Sequence, residues 1–83
     1  DVTAYRHAQG WQAVVRANDR LALVVAHTFA APGVKTLRIP LPPGRWRVVG
    51  ELHADRRKVT LKRGECHWTH PGEWSACVVL LRR

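Results

Sequence analysis

Short apolar runs recur along the whole chain, each about the length of a strand, and polar, glycine and proline breaks cut them apart. Trp11 to Ala17 (WQAVVRA) and Leu21 to Phe29 (LALVVAHTF) flank Asn18-Asp19-Arg20 and predict a β-hairpin around that polar turn. Trp11, Val14, Val15, Leu21 and Val25 also fall near one helical stripe. The paired valines and the Asn-Asp break decide for strands, because β-branched side chains fit a pleated surface better than a helix. Lys35 to Leu41 alternates, with Leu37, Ile39 and Leu41 on one face and Thr36, Arg38 and Pro40 on the other, the pattern of a half-buried strand. Pro40 has no N–H to give a ladder and so places this strand at a sheet edge, or marks its end. Pro42-Pro43-Gly44 forms a turn. Arg45 to Leu52 follows as a strand with Trp46 and Val48 opposite Arg45 and Arg47.

Arg57 to Lys62 alternates again, with Val59 and Leu61 inward, and Arg63-Gly64-Glu65 turns the chain. Cys66 to Thr69 reads as a short strand ended by Pro71-Gly72. Trp74 to Leu81 (WSACVVLL) closes the chain; it is apolar on both faces, so it is predicted to be central or covered. Seven short strands separated by such breaks predict an all-β single domain over residues 1–83, an antiparallel β-sandwich or small barrel with meander or Greek-key links. Val14 with Val15, Val24 with Val25, Val48 with Val49, and Val78 to Leu81 are apolar on both sides of their strands. That surplus predicts an outer face that packs on another domain.

Composition adds a charge and a context. The 83 residues are 46% hydrophobic with four tryptophans, enough for a core in a domain whose small size leaves a thin margin. No run approaches the roughly 18 apolar residues that a membrane-spanning helix needs. The chain opens on Asp1 and contains no methionine, which we read as the mark of a piece of a longer protein.

The formal charge is +8, and 11 of the 14 basic residues are arginine. Most are scattered. Arg45, Arg47, Arg56, Arg57, Lys58, Lys62 and Arg63 form a candidate basic patch, and a basic small domain invites a nucleic-acid reading. The competing reading is an arginine-rich surface that faces an acidic partner domain.

Catalytic chemistry finds little footing. The acids Asp1, Asp19, Glu51, Asp55, Glu65 and Glu73 sit at the terminus or in and beside turns, with no pair framed for acid–base work. Ser75 or either cysteine could be matched with one of five histidines, but no nucleophile motif frames them. Cys66, His67, His70 and Cys77 have soft-ligand chemistry without zinc-knuckle spacing, and strand alternation sends Cys66 and His67 to opposite faces. No catalytic residue, metal or cofactor is therefore assigned. Cys66 and Cys77 read as small buried apolar residues, with pairing across neighbouring strands as the alternative. Trp11, Trp46 and Trp74 begin or occupy apolar strands and read as core. Trp68, in the polar segment HWTH, is the candidate exposed aromatic.

The order of segments resembles the C-terminal β-sandwich domain of α-galactosidase (melibiase)-like glycoside hydrolases. Trp11-Gln12-Ala13-Val14 is similar to the opening W-Q-x-V strand, and Leu21 to Val25 to the L-x-x-V-V strand. Leu37 to Val48 resembles the family's L-x-L-x-G-L-x-x-x-x-Y-x-V stretch, and Trp74 to Leu81 the closing W-S-A-x-V-x-L-x. Terminal sandwiches of α-amylase-like enzymes share much of this pattern. The resemblance implies a non-catalytic accessory role: docking on and stabilising a (β/α)8 barrel, whose roughly 250 residues this chain does not contain. It also implies poor solubility or self-association of the isolated domain. The strongly basic charge departs from what the resemblance explains. Two further readings remain from other classes. One is a small basic β-barrel binding RNA or DNA; the other is a carbohydrate-binding module that uses Trp68 with a second aromatic.

Overall fold

A computed structural model describes residues 2–7, 10–30, 32–53, 59–70 and 72–83, with the side chains of 4–7 and 53 left out. Its strands are β1 (Val2–His7), β2 (Trp11–Ala17), β3 (Leu21–Thr28), β4 (Thr36–Pro40), β5 (Arg47–His53), β6 (Thr60–Lys62), β7 (Glu65–Thr69) and β8 (Ala76–Arg82). Two antiparallel sheets form, one of five strands in the order β1-β2-β3-β8-β5 and one of three in the order β4-β7-β6. The fold is an antiparallel β-sandwich.

The hairpin between β2 and β3 closes as the sequence requires. Asn18 Oδ1 accepts hydrogen bonds from the Arg20 and Leu21 amides, both at 2.8 Å, so the side chain substitutes for a backbone turn. β8 is the doubly apolar closing segment, and it lies at the interior of the larger sheet between β3 and β5. β4, which ends on Pro40, is an edge strand. The turn from β6 into β7 is a tight two-residue hairpin in which Arg63 (φ 52°) and Gly64 (φ 75°) are both left-handed. Two positive φ angles match the right-handed twist of the flanking strands.

The core is the space between the sheets. Ala13, Val15, Ala22, Val24, Ala26, Cys77, Val79 and Leu81 of the larger sheet face Leu37, Ile39, Cys66 and Trp68 of the smaller one, joined by Val59. Alternation along β2, β3, β4, β7 and β8 accounts for nearly every one of these positions.

Three expectations change. An eighth strand, β1, precedes the seven that the sequence suggests. It is a polar edge strand whose register is set by pairing with β2 rather than by its own apolar pattern. Trp68 is not exposed but 0% accessible. It shares the inward parity of Cys66 on β7 and pairs with Leu37 of β4, so its polar neighbours report the other face of the strand. Trp74 is not core but 73% exposed, because β8 begins only at Ala76 and Trp74 stands on the loop before it.

Candidate functional site

The inner face of the five-stranded sheet is covered by the three-stranded one, and its outer face has no covering layer among the described residues. Register makes that outer face apolar in rows. Leu52, Val78, Val25 and Val14 lie side by side across four strands. Beside them run Gly50, Leu80, Leu23 and Arg16, with Val2 beyond. Leu52 is 73% exposed and Leu80 38%, and Val2 and Leu21 are exposed as well. Between Val2, Arg16, Leu21, Leu23 and Leu80 the surface sinks into a groove of about 350 Å³. An apolar surface that spans neighbouring strands is the mark of an interaction site, in contrast to single exposed apolar side chains, which are ordinary.

Arginines border this face. Arg16 stands in its second row, and Arg47 and Arg82 are directly opposed across β5 and β8 at one end of it. None of the three is paired with a carboxylate among the described residues. Two like charges in direct cross-strand opposition repel each other, an arrangement that an anionic partner would relieve.

The other end of the face is capped by aromatics. The His27 and Phe29 rings meet edge-on with centroids 4.9 Å apart, and Phe29 meets Trp74 in the same manner at 6.1 Å. Trp74 takes φ 55°, a left-handed conformation that costs a residue bearing a Cβ about 1–2 kcal/mol. A buried hydroxyl network holds its loop in place. Thr28 Oγ1 donates to Gly72 O (2.7 Å) and accepts from the Ser75 amide (3.0 Å), the two hydroxyl oxygens of Thr28 and Ser75 stand 2.8 Å apart, and the Thr28 amide donates to Ser75 O (2.8 Å). A large exposed indole is thus fixed in a strained position by buried polar contacts. Strain of that kind persists where the surroundings over-determine it, most often at functional positions. The sequence marks a Pro71-Gly72 break before the closing strand but not how far the strand's start is delayed beyond it, and the exposure of Trp74 turns on that delay.

The basic candidates do not gather on one sheet face. Arg45 and Arg47 lead into and begin β5 on the larger sheet. Lys62 ends β6 on the smaller sheet, and Arg63 lies in the turn after it. Arg56, Arg57 and Lys58 lie outside the described residues. The arginine-rich end of the molecule is partly structural. The Arg83 guanidinium covers the Trp46 ring at 4.4 Å and donates to Asp19 O (3.2 Å) and Pro43 O (2.7 Å), tying the β2–β3 turn to the β4–β5 connection. Gly44 makes room for it, since a Cβ there would stand 2.7 Å from Arg83 Nε.

The soft-ligand candidates part company as well. Cys66 points into the core from β7 and Cys77 from β8, and neither is in a disulfide. His67 faces outward, with Nε2 3.0 Å from Glu65 Oε1. His70 is buried against Trp68, and its Nε2–H donates to Val34 O. No group of three or more metal-ligating side chains is gathered among the described residues. Burial first, and the Glu51 carboxylate second, push the Cys66 thiol up from 9.0 to about 12, so it holds its proton and is a poor nucleophile.

No protein-family profile, curated protein or solved structure matches this chain.

Proposed function

We propose that this β-sandwich is a non-catalytic accessory domain that docks on a larger protein domain through the outer face of its five-stranded sheet. The observation that carries the reading is that face itself: two largely apolar rows across four strands, bordered by arginines with no carboxylate partner among the described residues and capped by an exposed Trp74. The matching surface is apolar at its centre and acidic at its rim. A second copy is a poorer occupant, because two chains of charge +8 would bring Arg16, Arg47 and Arg82 against their own kind. The segment order carries the reading one step further. Its resemblance to the terminal sandwiches of α-galactosidase-like glycoside hydrolases makes a catalytic (β/α)8 barrel the proposed partner, with substrate chemistry confined to that barrel.

An RNA- or DNA-binding role draws less support, since Arg45 and Arg47 lead into and begin β5 of one sheet while Lys62 ends β6 of the other with Arg63 just after it, and no single sheet face carries all four. Sugar binding through Trp68 draws none, because its ring is in the core.

The docking reading is tested with an apolar fluorescent dye and sedimentation across a salt series, on the wild type and on Leu52→Glu/Leu80→Glu. The wild type is expected to bind dye and to associate only when salt screens its charge, and the variant to do neither. A wild type that binds no dye and stays monomeric at high salt would overturn it. The enzyme context is tested separately by the coding sequence upstream of Asp1. A barrel with strand-end aspartates supports it, and a start codon beside Asp1 removes it while leaving the docking face intact.

A further inference from the structure

The outer face of the three-stranded sheet is polar throughout, and one part of it is built differently from the rest. Arg38 of β4 lies directly opposite His67 of β7, which lies opposite Thr60 of β6. One row along, Lys62 of β6 lies opposite Glu65 of β7. Side chains opposed on one face of a sheet stand about 5 Å apart at their Cβ atoms, and diagonal ones stay within reach of long side chains. Arg38, Lys62, Arg63, Glu65 and His67 together line a cleft of about 260 Å³.

The charges in this cleft do not cancel. Its one carboxylate, Glu65, is engaged by His67 at 3.0 Å. Arg38, Lys62 and Arg63 have no ion-pair partner among the described residues. Arg63 moreover occupies a left-handed turn position, φ 52°, where asparagine or glycine is the ordinary occupant. The hairpin thus holds a cation at the lip of the cleft in spite of its backbone preference. Opposite, Thr36 and Thr69 spend their hydroxyls on each other at 2.9 Å, so the polar character next to the cleft is already satisfied and the unsatisfied charge is local.

We propose that this cleft binds the phosphate group of a small ligand, with Arg38, Lys62 and Arg63 as its cationic contacts and His67, steered by Glu65, as a hydrogen-bond donor. Arginine's planar fork suits two phosphate oxygens at once, and lysine supplies a point charge. The size of the cleft suits one phosphate and an attached ring. The site lies on the opposite side of the sandwich from the docking face, so each is open when the other is filled.

Inorganic phosphate and a hexose 6-phosphate, titrated into the protein and followed by NMR, test this and distinguish a free phosphate from a phosphorylated sugar. Saturable shifts confined to Arg38, Lys62, Arg63 and His67 are expected with at least one of the two, and the tighter one names the source. Arg38→Gln and Lys62→Gln should each weaken binding about fivefold, the upper range for one exposed charge contact. Arg20→Gln, which removes an exposed charge from the β2–β3 turn, should leave it unchanged. Shifts that rise linearly without saturating, or equal weakening by Arg20→Gln, would show only diffuse attraction and would overturn the proposal. Tighter binding of a single-stranded oligonucleotide that depends on Arg45 and Arg47 would overturn it in favour of a polyanion surface.

Discussion

Cys66 shows how burial, with the Glu51 carboxylate adding to it, sets chemistry at a single residue. Its thiol ionises at 9.0 in the unfolded chain and about 12 in the folded one. Above pH 9 the unfolded chain has therefore given up a proton that the folded chain still holds. Stability falls as pH rises through that window, at a slope approaching about 1.4 kcal/mol per pH unit. Cys66→Val fills a similar volume without a proton to lose. Urea unfolding of both proteins below and above pH 9 should show the wild type losing stability relative to the variant only in the alkaline series. Parallel behaviour would mean that the thiol is solvated. The burial of Cys66 was legible from strand parity, and the same parity held the answer for Trp68, which sits two positions on. The polar company of Trp68 outweighed parity in reading HWTH, although those neighbours belong to the opposite face. Trp74 was illegible for another reason: its exposure depends on a left-handed backbone whose neighbour Ser75 is held by Thr28, 47 positions earlier.

At the scale of elements, short strands cut apart by polar, glycine and proline breaks carried the architecture. β8 was recognisable as interior, β4 as an edge through Pro40, and the β2–β3 hairpin through Asn18. β1 escaped because an edge strand needs no apolar alternation when its partner supplies the register. The split of the strands into sheets of five and three was beyond reading, since it depends on which edges meet after the chain crosses between layers. The loop that presents Trp74 is the element most exposed to a single change. Thr28→Val keeps the shape of the side chain but removes the hydroxyl that donates to Gly72 O and accepts from the Ser75 amide. Its expected cost is about 1–3 kcal/mol, because Ser75 and Gly72 lose a buried partner. Thermal melts should register this loss, and Trp74 fluorescence should lose its anisotropy below the transition. An unchanged melt would mean that the β3–β8 ladder alone fixes the loop.

The whole molecule has a radius of gyration of 11.8 Å, the value expected of a compact domain of this length, so both sheets close fully on one core. Its two outer faces differ in kind. One is apolar and bordered by arginine, and the other is polar with a local excess of positive charge. The position of β8 sets a timetable as well. The meander β1-β2-β3 leaves the ribosome before the rest of the larger sheet, yet the strand that covers the free edge of β3 and joins β5 to the sheet starts just beyond Ser75, which itself lies 47 positions after Thr28. At about 5–20 residues per second, a ribosome leaves that edge and the apolar meander waiting for about 2–10 s. Chains arrested before Ala76 should accumulate as chaperone-bound or insoluble material, whereas chains extended past Arg83 should resist protease. Nascent chains stalled at those two points and challenged with protease would show the difference. Equal protection at both would mean that the sandwich closes without its interior strand.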